Sequence, residues 1–152
     1  MSDDFSPPRI LPPHYFLLSL AAIGLLGWWL PAAPFEPWLR WLGLPLVVAG
    51  AGVAIAGSRL FARAGTSIIP LSQSSALVTD GVFRYSRNPM YVGMIATLGG
   101  AALLVHSLWG WLVVAAFAWL IRRSFVLREE ALLRQTFGES YAQYCGRVRR
   151  WL

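Results

Sequence analysis

Most of the side chains able to do chemistry sit in two polar segments. The first ends in Arg87-Asn88-Pro89-Met90-Tyr91, and the second contains Arg128-Glu129-Glu130. Asn88 before Pro89 reads as a helix start, a capping side chain followed by proline at the first helical position. Such a helix end offers unpaired N–H groups and a positive dipole end, which suit a carboxylate or another anion. A plain cap at a membrane interface accounts for the same residues. Two adjacent carboxylates turned inward can hold an ammonium group or move a proton, and turned outward they form a solvated helix face.

Other familiar chemistries are absent. The chain has no phosphate-binding loop with lysine, no nucleophile elbow and no histidine pair at metal spacing. His14 and His106 read as interfacial residues. The lone Cys145 excludes an intrachain disulfide and a cysteine metal cluster, so no metal is expected.

The elements that must position these segments are apolar. Four stretches stand out, Tyr15 to Leu30, Trp38 to Phe61, Met90 to Val105, and Trp109 to Leu127. A span needs roughly 20 residues, so the third is short, and only His106, Ser107 and Leu108 part it from the fourth. Those two predict a tight antiparallel hairpin. Gly43, Gly50 and Gly57 share one face of the second stretch, and Gly93, Thr97 and Ala101 share one face of the third. Small residues at those spacings let helices approach closely. Beyond the fourth stretch, Leu132, Leu133 and Phe137 give a helix an apolar face, with Gly138 as its stop.

Composition agrees with a membrane-embedded chain. Of 152 residues, 57% are hydrophobic and 13% charged, against roughly 25% charged in soluble domains. Mean hydropathy is +0.54. All 13 basic residues are arginines, giving a net charge of +6. They flank apolar stretches instead of forming one stripe, which argues against nucleic acid and follows the positive-inside rule. Arg9, Arg59, Arg63, Arg84, Arg87, Arg122, Arg123 and Arg128 mark one side, whereas Trp28, Trp29, Trp38, Trp41, Trp109 and Trp111 mark the other. The expectation is one domain over residues 1–152, all-α, with about four transmembrane helices and a helical C-terminal segment. Both termini and the polar segments are expected in the cytoplasm, with residues 1–14 as an uncleaved tail.

Read in order, the two segments resemble the isoprenylcysteine carboxyl methyltransferase family, within the group that includes phospholipid methyltransferases. The carrying residues are Leu77-Val78-Thr79-x-Gly81-Val82-Phe83, Arg87-Asn88-Pro89-x-Tyr91-x-Gly93, and Glu129-Glu130-x-x-Leu133-x-x-x-Phe137-Gly138-x-x-Tyr141-x-x-Tyr144-x-x-x-Val148-x-Arg150. They fall in residues 65–150, the methyltransferase-like core. The resemblance implies an S-adenosylmethionine-dependent methyltransferase of the bacterial inner membrane, acting at its cytoplasmic face on a lipophilic or small carboxylate, thiol or amine acceptor. It implies cofactor contacts from Ala76, Leu77, Val78, Phe83, Asn88, Pro89, Met90, Tyr91 and Glu129. Arg87 would meet the cofactor carboxylate, and Glu130 would support Glu129 or accept a proton. Asn88 stands where many eukaryotic members carry histidine. Phe125 stands where they carry an arginine for the substrate carboxylate. The other classes considered are a membrane scaffold that binds no small molecule and a nicotinamide-dependent enzyme like the sterol reductases.

Overall fold

The computed structural model describes residues 10–67, 69–72 and 75–152. Asp3, Asp4 and Arg9 of the tail, and Ile68 of the loop, lie outside the described residues. Five α-helices account for most of the rest: α1 (Pro12–Trp29), α2 (Gly43–Arg63), α3 (Pro89–Leu104), α4 (Leu108–Ile121) and α5 (Leu127–Arg147). A 3₁₀ segment, Pro37–Leu42, leads into α2, and no strand occurs among the described residues. Two helical runs, Pro37–Arg63 and Leu108–Arg147, are long and apolar enough to cross a membrane, and Pro89–Leu104 is a shorter apolar helix.

The α2–α3 pair is the most extensive contact in the fold, and glycines make it possible. A Cβ on Gly50 would sit 2.6 Å from the Gly93 carbonyl oxygen and 2.7 Å from Thr97 Oγ1. One on Gly93 would strike the Gly50 carbonyl, and one on Gly43 the Gly100 carbonyl. The glycine face of α2 is as expected. On α3 the stripe runs through Gly93, Thr97 and Gly100 instead of ending at Ala101, which is only half-buried. The helix needs seven residues for two turns, so Gly100 returns to the face that Gly93 occupies.

Helices α3 and α4 form the expected hairpin. His106 takes a φ of 53° at the turn, and Ser107 caps α4 by accepting a hydrogen bond from the Gly110 N–H at 3.1 Å. The His106 ring packs edge-on to Phe35 and makes a 2.9 Å hydrogen bond with the Phe35 carbonyl, so it ties the first connector to this turn. That gives His106 a structural task.

The core lies where α1, α3 and α4 meet. Ile23, Tyr91, Leu98, Ala102, Val114, Phe117, Ile121, Phe125 and Val126 are buried together, with Tyr15, Phe16 and Trp151 against them. Much apolar surface remains outside it. Trp28 is 84% exposed, Trp29 79% and Leu18 68%. Faces of this kind are stable when lipid covers them.

A π-helical turn, Arg122–Val126, joins α4 to α5, closed by the Leu127 N–H onto the Arg122 carbonyl. An ordinary helix would bury one residue in every three or four. Here Val114, Phe117, Ile121 and Phe125 are buried in that rhythm, and Val126 is buried as well. The extra residue is absorbed locally, so the inward stripe continues from Val126 to Glu130. Gly138 stops the first part of α5, as expected: at a φ of 47° and a ψ of −119° it leaves helical geometry, and a second helical stretch follows it to Arg147. Glycine tolerates that φ, and the resumed helix places Tyr141 and Tyr144 back against the fold.

Candidate functional site

The loop between α2 and α3 folds back on the end of α2. Thr66 Oγ1 accepts from the Ser75 N–H at 3.2 Å, and Ser75 Oγ donates to the Gly65 carbonyl at 3.1 Å. A 3₁₀ turn, Gly81–Arg84, then buries Phe83 against Phe61, with ring centroids 5.3 Å apart. Tyr144 donates to the Phe83 carbonyl at 2.6 Å, so α5 clamps this turn in place. Burial raises the Tyr144 hydroxyl to about 12, in keeping with its role as a neutral donor.

Arg87 follows at once, and then α3 starts. Pro89 occupies the expected first helical position, but Asn88 does not cap with its side chain. Its Nδ2 donates to the Arg150 carbonyl at 3.1 Å, while Ser86 Oγ accepts from the Asn88 N–H at 3.1 Å. The returning C-terminal segment offers the amide a fixed carbonyl acceptor, which a solvent-facing cap would lack. The N–H groups at the start of α3 are thus left without the expected side-chain cap.

The two glutamates face different surroundings. Glu129 Oε1 accepts from the Tyr91 hydroxyl at 2.9 Å, linking the start of α5 to the first turn of α3. Burial pushes the Glu129 carboxyl up to about 7; the Tyr91 hydrogen bond opposes that shift, and the Glu130 charge adds to it. Glu130 is 2% exposed and is held by arginine. Arg150 Nε and Nη2 each lie 2.9 Å from its oxygens, Arg87 Nη2 lies 3.3 Å away, and Arg134 Nη2 3.9 Å.

Two cavities meet at this point. A polar one of about 70 Å³ is lined by Phe83, Arg87, Asn88, Glu130 and Tyr141 among others. An apolar one of about 220 Å³ lies between the start of α1, Phe61, the loop at Ile69–Leu71, and Met94. Met90, Tyr91 and Glu129 belong to both walls. Each alone is below the ~300 Å³ at which small-molecule sites usually begin. A ligand spanning both would pass the Tyr91–Glu129 pair. In the polar cavity wall, Arg87 Nε and the Tyr141 hydroxyl are buried without hydrogen-bond partners. Buried polar atoms left unpaired are costly, and a ligand that pairs them recovers that cost.

Of the residues expected to act together, Arg87, Asn88, Pro89, Met90, Tyr91, Glu129, Glu130 and Phe83 converge on these cavities. Ala76, Leu77 and Val78 are half-buried in the loop and line neither of them. Sequence reasoning gave no task to Tyr141 or Arg150. Their spacing from the glutamates carried the signal: eleven and twenty positions beyond Glu130, they close the same polar cluster. Among the described residues no group of acidic, histidine or cysteine side chains could hold a metal. Phe125 is 2% exposed and meets Tyr15 edge-on at 6.0 Å, so it belongs to the core.

Comparison with known proteins places the chain in a family. A family model described as phospholipid methyltransferase matches residues 38–140. The protein-S-isoprenylcysteine O-methyltransferase of Schizosaccharomyces pombe is 36% identical over 72 residues, 47% of this chain and 30% of that protein. Protein-S-isoprenylcysteine O-methyltransferase B of Arabidopsis thaliana is 30% identical over 117 residues, 73% of this chain and 57% of that protein. The chain thus spans between about a third and just over half the length of these relatives. The solved structure of a eukaryotic intramembrane Ras methyltransferase, an isoprenylcysteine carboxyl methyltransferase, superposes with a TM-score of 0.68. It covers 90% of this chain and 50% of that one at 23% identity, a likeness of fold. The all-helical membrane fold expected from the sequence is the one observed.

Proposed function

Because the chain belongs to the phospholipid methyltransferase family, we propose that it is an integral-membrane enzyme that moves the methyl group of S-adenosylmethionine to an acceptor. In this reading about four helices span the bilayer, and the site faces the cytoplasm beside the arginines. The acceptor is a lipophilic or small molecule entering through the apolar cavity. The single observation that carries the reading is the junction, at Glu129, of an apolar cavity with a polar one lined by Arg87, whose Nε has no hydrogen-bond partner.

The donor set fits S-adenosylmethionine, which carries a carboxylate, an ammonium and a sulfonium. Arg87 and the N–H groups at the start of α3 suit the carboxylate, and Glu129 suits a cation. Phe83, Asn88, Pro89, Met90 and Tyr91 would surround the ligand there; Ala76, Leu77 and Val78 join them by resemblance alone. When bound, the cofactor supplies an electrophilic methyl group on a sulfonium.

The remaining tasks belong to the chain. Helices α3 and α5 hold their residues on rigid elements, and alignment of this kind supplies much of the acceleration of a displacement reaction. Apolar walls from Phe61, Leu71 and Met94 exclude water from the meeting point. A carboxylate acceptor needs no base, whereas an amine or thiol must give up a proton. Glu130 has its oxygens engaged by Arg150 and Arg87. Glu129, whose carboxyl burial raises to about 7 in the unliganded chain, can take that proton where it does not hold the cofactor's cation.

The test is calorimetry of S-adenosylmethionine on the purified protein in lipid, with Glu129→Gln as the control. Micromolar binding weakened tenfold or more by the substitution, about 1.4 kcal/mol, is expected. A folded protein that does not bind S-adenosylmethionine sinks the reading and returns the scaffold and reductase classes to the front.

A further inference from the structure

The C-terminal segment grips the site from two directions. The Arg87 N–H donates to the Arg149 carbonyl at 3.0 Å, and the Arg150 carbonyl accepts from Ser86 Oγ at 3.3 Å and Asn88 Nδ2 at 3.1 Å. The residues on both sides of Arg87, and Arg87 itself, are therefore pinned by two consecutive carbonyls. The Arg150 side chain then turns the other way and takes both oxygens of Glu130. Trp151 packs onto the core just beyond, which anchors the segment.

This arrangement governs what Arg87 can do. Its side chain is 10% exposed, and its nearest charged partner is the Glu130 oxygen at 3.3 Å. A guanidinium fork pairs a carboxylate best when it meets both oxygens. Arg150 already holds that place, so Arg87 makes one ionic contact and keeps a buried Nε with no hydrogen-bond partner. The buried Arg87 and the half-buried Arg150 share one buried carboxylate, while Arg134 is 59% exposed and more distant. The Arg87 Nε, buried without a partner in the wall of the polar cavity, calls for an acceptor there, and an anion supplies one.

We propose that Arg150 is a positioning residue: by saturating Glu130 and bracing Ser86–Asn88, it keeps the Arg87 guanidinium available to the carboxylate of an amino-acid-bearing nucleoside. The proposal rests on the methyltransferase reading above. Without Arg150, Arg87 would close onto Glu130 as its fork partner and leave the cavity without its cation.

The experiment compares two nucleosides on the full chain in lipid nanodiscs by calorimetry. S-adenosylhomocysteine carries the amino-acid end, and 5′-methylthioadenosine lacks it. Arg150→Gln is expected to weaken S-adenosylhomocysteine tenfold or more and to leave methylthioadenosine within twofold. Arg87→Gln should show the same selective loss, and the double variant should bind no worse than Arg87→Gln alone. Arg150→Lys, which neutralises Glu130 without its two-pronged contact, should fall between, and it decides the matter if Arg150→Gln does not fold. Equal losses for both nucleosides, or none in Arg150→Lys, overturn the proposal. Wild-type protein that binds both nucleosides equally well also overturns it and leaves the methyltransferase reading standing. Wild-type protein that binds neither overturns both.

Discussion

Glu129 and Glu130 show how neighbouring side chains of one type are given different chemistry. One is hydrogen-bonded to Tyr91 and holds its proton up to about pH 7 through burial; the other is gripped by arginines. The sign of the pH dependence follows. Below pH 7 an unliganded Glu129 is protonated, and a cation must displace that proton to bind. Affinity for S-adenosylmethionine should therefore rise between pH 6 and pH 8. Binding at pH 6 should release protons, read by calorimetry in buffers of different ionisation heat. Because the Tyr91 hydroxyl lowers the Glu129 pKa, Tyr91→Phe should move the midpoint of this rise to higher pH. A pH-independent affinity would remove Glu129 from the cation's surroundings.

Among the elements, the α2–α3 contact is the most extensive one made by the helix that carries Tyr91. It depends on atoms that are missing. Gly50→Ala would push a methyl group against backbone on α3, and overpacking of this kind costs roughly 1–3 kcal/mol. Gly52, two residues on, has no other group within 4 Å of an added Cβ. Gly52→Ala should be neutral or stabilising by up to about 1 kcal/mol, since a helical glycine gives up more backbone freedom than alanine. Thermal unfolding of both variants in detergent checks the contrast; equal effects would mean that the close approach is not what the glycines serve. The π turn after α4 works at the same scale. It admits one extra residue, so that the lipid-side helix and the site-bearing helix both present their inward stripes to the core.

For the whole molecule the open quantity is orientation. The arginine-rich end carries the site and the tryptophan-rich end the hairpin turn. Arg40, the cation nearest the tryptophans, lies 4.8 Å over the Trp41 ring, where an interfacial guanidinium is tolerated. The one cysteine supplies a native reporter, because Cys145 is half-exposed on α5, at the end of the fold that holds the site. A membrane-impermeant maleimide should label it in inverted vesicles and leave it unlabelled in intact spheroplasts of a bacterial host. Labelling in the spheroplasts instead would place the site on the outer face and contradict the arginine rule.

The sequence by itself determined that the chain is helical and membrane-embedded, because long apolar stretches bounded by arginine and tryptophan have few other stable arrangements. It also marked the hairpin at His106–Leu108, the glycine face of α2 and the residues of the two polar segments, since each is a matter of residue type at a local spacing. Tertiary structure alone decided which partners those residues meet. Asn88 reads as a cap until the segment at Arg150 brings a carbonyl within reach of its amide. Gly138 reads as a stop, and the helix does break there, but only the packing of Tyr141 and Tyr144 accounts for the second helical stretch beyond it. Locally, only the helical stripe from Val126 and the distant Arg134 separate Glu130 from Glu129. Their difference comes from Tyr91, 38 positions away, and Arg150, 20 positions away. Hydrogen bonding, charge pairing and burial act through distance in space, so the site's chemistry was set only when the fold closed.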